Sequence, residues 1–192
     1  MTKFARRSLS AFALALSLGA LPALAADYVQ APGSALAFGG MYQGEAFSGR
    51  FPGFDTRLSF DPADPAAARL EVTIPMAGAT TTTNPDYDGE MRGDAFLAVA
   101  KFPQARYTAS GFRTLGDGRY AADGVLSLHG VEKPVTLTFT WTPGPQPVLA
   151  GKATVRRLDF GVGAGDWADT DLIPDEIAVS ARVLFSPAAG NR

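Results

Sequence analysis

The chemistry open to this chain is limited first by its few nucleophilic and metal-binding side chains. The sequence has no cysteine and a single histidine, His129. A zinc site with several histidines cannot be built from one imidazole, and at most one Ser-His relay could be. No Gly-x-Ser-x-Gly motif is present. Thiolate metal sites, disulfides and a cysteine nucleophile are excluded.

His129 precedes Gly130 at the end of a predicted strand, where a hairpin turns. A general base needs an orienting carboxylate and a nearby nucleophile, and no motif fixes Glu132 or Asp123 in that position. A structural role in the turn is therefore the simpler interpretation. The alternative is a redox or lipid-modifying accessory enzyme that uses His129.

Arg156 and Arg157 are candidate polar contacts for a ligand. Alternation with Leu158 and Phe160 places Arg157 and Asp159 on the outer face, where an exposed ion pair contributes little. The alternative hypothesis is that one of the two arginines lies at the rim of a cavity and binds the polar head of a ligand, a phosphate or a quinone carbonyl.

The segment Gly161–Trp167 has the glycines of a phosphate-binding loop. It lacks the strand-to-helix context and the Lys-Ser/Thr ending of that motif. Glycine permits positive φ, so we predict a flexible loop at the mouth of a cavity, with Trp167 as an apolar lid or plug.

The segment Asn84–Gly89 carries oxygen side chains at positions one, three and five and glycine at six, like the first half of a calcium loop. Position twelve is Ala95, where that loop requires a bidentate glutamate. We therefore predict a solvated loop and helix cap without a bound metal.

The elements that must position these residues are strands, because apolar and polar side chains alternate along most of the chain. The alternation is clearest in Leu70–Met76, Val135–Trp141 and Ile177–Phe185, and less regular in Phe54–Phe60. Turn residues separate the strands at Asp61–Pro65, Gly116–Gly118 and Gly130–Pro134. One-face alternation with short links indicates an antiparallel sheet.

The only helical segment predicted is Asp86–Val99, kept short by Gly93 and Pro103. About eight to ten strands with up-and-down links fit either a closed barrel or a two-sheet sandwich. Alternation alone does not choose between these architectures.

Residues 1–25 have the features of a cleaved signal peptide. Lys3, Arg6 and Arg7 precede an apolar run from Leu9 to Leu18, and Ala23-Leu24-Ala25 forms a small-x-small cleavage site. The run is shorter than the ~20 residues of a membrane-spanning helix. We expect a periplasmic protein with one domain, residues 26–192.

The charge balance argues against a nucleic-acid partner. Lys and Arg number 17 and Asp and Glu number 19, which gives a net charge of −2. A protein that tracks phosphates needs a basic surface. The sequence leaves the oligomeric state open, a homodimer included.

Taken together, the segments resemble the YceI-like, polyisoprenoid-binding family of exported bacterial proteins. The likeness covers essentially the whole chain after residue 25, in order. It is carried by Ser34-x-Leu36-x-Phe38, Phe47-x-Gly49-x-Phe51, Phe60-Asp61-Pro62, Met91-Arg92-Gly93, Lys101-Phe102-Pro103, Leu126–Leu137 with His129-Gly130, Arg157–Gly163, Trp167 and Asp175-Glu176-Ile177-x-Val179.

This resemblance implies an all-β fold: an eight-stranded antiparallel, lipocalin-like barrel with one short helical insertion and a long apolar cavity. It implies a non-catalytic carrier of a polyprenyl lipid or quinone, with no resident cofactor. The cavity residues predicted from the alternation are Phe38, Leu58, Phe60, Val72, Ile74, Leu126, Leu128, Leu137, Phe139, Trp141, Phe160, Val179 and Val183, with Trp167, Arg156 and Arg157 at the mouth. A filled barrel that only binds a protein partner is the other alternative.

Two details refine the resemblance. The Gly161–Trp167 segment resembles the branch found near membrane cytochromes, which favours a quinone ligand and a membrane cytochrome or other inner-membrane protein as partner. Many members carry histidines in the first strands, whereas this chain has Gly33-Ser34 and Gly39-Gly40-Met41. No head-group role of those histidines carries over, and we expect a more apolar mouth.

Overall fold

The fold is known from a computed structural model, which describes residues 26–81 and 85–188. Within these residues there are eleven strand segments and one five-residue α-helix, α1 (Asp88–Arg92). The strands are β1 (Ala26–Gln30), β2 (Ala35–Tyr42), β3 (Glu45–Arg50), β4 (Asp55–Phe60), β5 (Arg69–Pro75), β6 (Thr80–Thr81), β7 (Gln104–Gly116), β8 (Arg119–Leu128), β9 (Val131–Thr142), β10 (Val148–Arg156) and β11 (Glu176–Pro187). The predicted signal peptide, residues 1–25, lies outside the described residues.

The strands form one closed antiparallel barrel. Its closed ring runs β1-β4-β5-β7-β8-β9-β10-β11, and β1 closes it by pairing with β11. The predicted eight-stranded, lipocalin-like barrel is therefore confirmed, and the sandwich alternative is wrong.

Three of the eight positions around the barrel are each occupied by two strand segments placed end to end: β1 with β2, β4 with β3, and β5 with β6. β1 pairs with the last residues of β11, and β2 pairs with Ala178–Arg182 of the same strand. In the same way β4 pairs with β1 and β3 with β2. The sheet order ends at β6, which pairs with β3.

One end of the barrel, which we call the filled end, is occupied by aromatic rings. Neighbouring ring centroids in this aromatic cluster are 5.1–6.0 Å apart. Its members are Tyr28, Phe60, Phe112, Tyr120, Phe139, Trp141 and Phe185. Offset and edge-on aromatic pairs at such distances pack favourably, so these rings fill the interior at this end.

Two details of the predicted elements are wrong. The predicted helix Asp86–Val99 is a 3₁₀ turn at Pro85–Tyr87 followed by α1, and turns follow from Gly93 onward. The predicted turn Gly130–Pro134 is instead part of β9, since His129 and Gly130 form the two-residue turn with φ of 53° and 76°. Both values suit a type I′ hairpin. Pro134 is tolerated because β10 pairs only with Thr138–Thr142 of β9.

Within residues 26–81 and 85–188, no helix is long and apolar enough to cross a membrane.

Candidate functional site

The opposite end of the barrel, which we call the hollow end, contains a cavity of about 390 Å³. That volume is within the range of small-molecule and cofactor pockets. Inward-facing side chains of β4, β5, β8, β9, β10 and β11 line it, and most of them are aliphatic. Phe38 of β2 and Phe51, which follows β3, add aromatic rings 5.0 Å apart. The lining suits an apolar ligand.

The mouth of the cavity is where its lining residues are exposed. Glu45, Ala46, Tyr87 and Glu90 both line the cavity and face solvent. They come from the β2–β3 hairpin and from the segment that contains α1. The backbone N–H of Gln43 in that hairpin donates to Leu172 O at 2.9 Å, which joins the hairpin to the loop between β10 and β11.

Arg157 lines the cavity but is buried, at 3% exposure. Its guanidinium donates five hydrogen bonds of 2.6–3.2 Å, all to backbone carbonyls: Pro174, Val162, Gly163, Trp167 and Ile173. An arginine side chain has five N–H donors, so none is left for a ligand. Burial lowers the pKa of Arg157, yet a guanidinium stays charged in proteins.

The prediction of an outward-facing Arg157 is wrong. β10 ends at Arg156, and the chain then forms a 3₁₀ helix, Arg157–Phe160, so the two-residue period of the strand no longer applies. The guanidinium holds the loop of residues 162–174 in place from within. It is a positioning group of the cavity wall, and the hypothesis that it binds a head group does not fit its geometry.

Arg156 is exposed and does not line the cavity. Its Nε donates to Asp175 Oδ2 at 2.8 Å, and Asp175 Oδ1 accepts from the Leu158 backbone N–H at 2.9 Å. The predicted mouth position of Arg156 is therefore wrong. Its ion pair with Asp175 holds the base of the loop together on the outer surface.

The glycine-rich loop packs closely against the buried arginine. Gly163 has φ of +63°, and a Cβ there would lie 2.7 Å from Arg157 Nη1. Only glycine accommodates both conditions. Trp167 is half-buried, lines the cavity, and packs on Phe96 with ring centroids 5.3 Å apart. Its contact with a ligand stays a prediction.

The structure brings eight of the thirteen predicted cavity residues into the cavity lining: Phe38, Val72, Ile74, Leu126, Leu128, Leu137, Val179 and Val183. The other five, Leu58, Phe60, Phe139, Trp141 and Phe160, lie outside it. Phe60, Phe139 and Trp141 belong to the aromatic cluster. Leu58 faces inward next to Phe60, and Phe160 is buried in the 3₁₀ helix after β10. Ligand contact by the eight remains a prediction.

His129 does not line the cavity. Its ring packs on Phe102 with centroids 4.7 Å apart, and its Nδ1 lies 3.0 Å from Phe160 O. A carbonyl only accepts, so Nδ1–H is the donor. This bond connects the β8–β9 turn to the 3₁₀ helix after β10, which is a structural role, and it offers no support for the enzyme alternative.

Asp88 ties α1 to the short strand β6. Its carboxylate accepts bonds from Thr80 Oγ1, Thr81 N and Thr81 Oγ1 at 2.6–2.8 Å. The Thr80 bond contributes most to lowering the pKa of Asp88. Asp88 lies in the first turn of α1, and the predicted helix cap stays a prediction because Asn84 of the same motif lies outside the described residues.

Two buried polar lining residues, Tyr107 and Thr56, were not among the predicted cavity residues. Tyr107 donates from its hydroxyl to Ala122 O at 2.7 Å, and burial raises the pKa of Tyr107 to about 12. Thr56, on β4, is 1% exposed. Its two-residue spacing from Leu58 and Phe60, both predicted to face inward, was the signal that could have placed it inside.

A closed antiparallel barrel with an apolar internal cavity defines the lipocalin-like class of protein. A model of the YceI-like domain matches residues 28–185, and the chain belongs to the YceI-like family. A UPF0312 protein of Pseudomonas savastanoi is 31% identical over 178 residues, which span 86% of this chain and 92% of that relative.

Two solved structures share the fold. BcnA of Burkholderia cenocepacia superposes with a TM-score of 0.74 at 25% identity, over 79% of this chain and 95% of BcnA. The second is described as a polyisoprenoid binding domain from Saccharophagus degradans implicated in plant cell wall breakdown. It gives a TM-score of 0.64 at 18% identity, over 85% of this chain and 99% of that domain.

Proposed function

We propose that this protein is a non-catalytic periplasmic carrier that holds a long apolar isoprenoid-type lipid, a polyprenyl lipid or a quinone, in the hollow end of its barrel. The observation that carries the proposal is the 390 Å³ cavity with its largely aliphatic and aromatic lining. The binding of polyisoprenoid by a protein with the same fold supports the choice of ligand class.

Burial of apolar surface provides the driving force. Each Å² of apolar ligand surface removed from water contributes roughly 25 cal/mol, and the walls contributed by β5, β8, β9 and β11 offer branched aliphatic side chains to it. A prenyl chain can therefore be held with few polar contacts. The predicted signal peptide supports the periplasm as the compartment, where an apolar lipid needs a container to cross an aqueous gap.

The test compares two substitutions on one strand. Ala153 of β10 lines the cavity, whereas Ala150 of the same strand faces solvent. Ala153→Phe fills the cavity, and Ala150→Phe adds the same ring outside. The wild-type protein and both variants are purified from the periplasm of the cells that make them and examined by native mass spectrometry and solvent extraction.

We expect an isoprenoid lipid to accompany the wild type and Ala150→Phe and to be lost from Ala153→Phe. Repeated recovery of lipid-free wild type, or equal amounts of lipid on the two variants, contradicts the carrier function.

A further inference from the structure

Thr56 carries a buried hydroxyl that has no hydrogen-bond partner. No atom of residues 26–81 or 85–188 bonds to its Oγ1, although the residue is only 1% exposed. Gln30 Oε1 shares this condition, but Gln30 does not line the cavity and Thr56 does. A buried polar atom without a partner costs free energy comparable with a lost hydrogen bond. A ligand atom would recover that loss.

Thr56 lies at the floor of the cavity, the boundary with the filled end. Along β4 and the residue before it, Phe54 and Thr56 face inward and line the cavity. The next inward residue, Leu58, does not line it, and Phe60 belongs to the aromatic cluster. A ligand atom that reaches Thr56 Oγ1 therefore lies near the filled end of the barrel.

Two other buried polar side chains of the lining, Tyr107 and Arg157, are already engaged. The hydroxyl of Tyr107 bonds to Ala122 O and Val135 O, at 2.7 and 3.1 Å. All five donors of Arg157 bond to backbone carbonyls. Of these three buried polar side chains, Thr56 is the one whose hydroxyl has no hydrogen-bond partner within residues 26–81 and 85–188 and can recognise a ligand.

The exposed charges at the mouth disfavour an anionic ligand head, and the buried guanidinium of Arg157 has no donor free to bind one. Glu45 and Glu90 stand at the mouth, where they repel a phosphate. At the floor, Thr56 can donate one hydrogen bond but supplies no positive charge, and a buried anion without a counter-charge is costly. A neutral oxygen is not repelled by the glutamates at the mouth and needs no counter-charge at the floor.

We infer that Thr56 Oγ1 is the hydrogen-bond donor to a neutral carbonyl or hydroxyl oxygen at one end of the apolar ligand, which binds with that end at the cavity floor. The assignment rests on the proposed carrier function and specifies its ligand class: an isoprenoid quinone or alcohol, in preference to an isoprenoid phosphate.

Three probes with the same C20 skeleton test the assignment: geranylgeraniol, geranylgeranyl phosphate and the hydrocarbon phytane. Each probe displaces the apolar dye N-phenyl-1-naphthylamine from the wild-type protein and from Thr56→Val, Thr56→Ser and Thr56→Ala, after co-purified lipid is removed on a hydrophobic resin. Valine keeps the shape of threonine without its hydroxyl, and serine keeps the hydroxyl. Thermal unfolding of each ligand-free variant is measured alongside.

We expect Thr56→Val to weaken geranylgeraniol binding about threefold to tenfold, the range of one net hydrogen bond. Phytane binding should change less than about twofold, and Thr56→Ser should keep most of the affinity for the alcohol. The wild type should bind geranylgeranyl phosphate about tenfold or more weaker than geranylgeraniol. Ligand-free Thr56→Val should be at least as stable as the wild type, because it removes an unpaired hydroxyl.

Equal geranylgeraniol affinity in the wild type, Thr56→Val and Thr56→Ala overturns the role of Thr56 while leaving the carrier function intact. Phosphate binding as tight as alcohol binding overturns the neutral-head preference. A clearly destabilised Thr56→Val shows that the hydroxyl serves the fold and also overturns the assignment. Failure of all three probes to displace the dye from the wild type contradicts the carrier function itself.

Discussion

At the filled end of the barrel, Phe60 lies within 6.0 Å of four other aromatic rings. At the hollow end, Arg157 bonds to five carbonyl oxygens. β8, β9 and β11 run through both ends, and at the filled end their aromatic side chains pack together across the interior. A wall around a cavity lacks that cross-barrel packing, so polar bonds within the surrounding loops must support it.

Two other polar clusters also support the loops of the hollow end. Asp88 joins α1 to β6, and Asp175 joins Arg156 to Leu158 at the base of the loop that Arg157 holds. The wall of an apolar cavity is thus supported by groups whose hydrogen bonds are made within the wall itself. Equivalent substitutions at the two ends should therefore have unequal effects.

The largest effect is expected for Arg157→Met, with Arg156→Met as the matched exposed control. The methionine leaves five carbonyl oxygens without their donor. Loss of a buried charged partner typically costs 3–5 kcal/mol, and we expect about 5 kcal/mol here. Arg156→Met removes only an exposed ion pair and should cost less than about 1 kcal/mol.

Urea denaturation measures both losses, and hydrogen exchange of residues 161–174 shows where the structure loosens. Similar stabilities of the two variants would mean that Arg157 does not support the hollow end.

The second-largest effect is a difference in stability loss between alanine substitutions of two leucines. Leu58→Ala opens a new cavity beside the aromatic cluster, where Leu58 is 2% exposed, and should cost about 3–5 kcal/mol. Leu137→Ala only enlarges a cavity that Leu137 already lines, so about 2 kcal/mol is expected. Chemical denaturation of the ligand-free proteins gives both values. Equal losses would show that the two ends are packed alike.

The smallest effect lies on the outer surface and depends on pH. Arg113 Nε donates to Asp123 Oδ2 at 2.7 Å, and this bond, followed by the one from Thr136, lowers the pKa of Asp123 to about 2. A lowered folded-state pKa contributes stability that is present above the ordinary value of 3.8 and is lost as the pH falls towards 2.

Wild type and Asp123→Asn should therefore differ slightly at pH 7 and converge between about pH 4 and pH 2. Thermal unfolding across that range measures the difference, and high salt should reduce it because the pair is exposed. A difference that persists unchanged at pH 2 would exclude the ionised carboxylate as its source.

The sequence predicted the faces of the strands better than their depth in the barrel. Alternation placed Leu137 and Phe139 on the same inner face, as observed. It could not show that Leu137 lines the cavity while Phe139, two residues further on, fills the closed end. That distinction depends on the stagger of neighbouring strands, which is set by pairings between residues distant in sequence.

Arg157 escaped prediction for a different reason. Its side chain would face outward if β10 continued, but the strand ends one residue earlier and the 3₁₀ helix Arg157–Phe160 that follows brings the guanidinium inside. Strand ends are set by competing backbone hydrogen bonds and by loop packing, which alternation does not report. Thr56 was predictable in position, whereas its unpaired hydroxyl depends on every neighbour in the folded barrel.

The closure of the barrel between β1 and β11 sets the order in which the molecule can assemble. β7 to β11 are sequential neighbours in the sheet and can pair as soon as each is made, whereas Tyr28 meets Pro187 and Gln30 meets Phe185. Contacts between such distant segments form slowly because a long loop must close first. During folding, the future interior is therefore one face of an open, hydrated sheet. This apolar face is prone to aggregation until β1 pairs with β11 and closes the barrel.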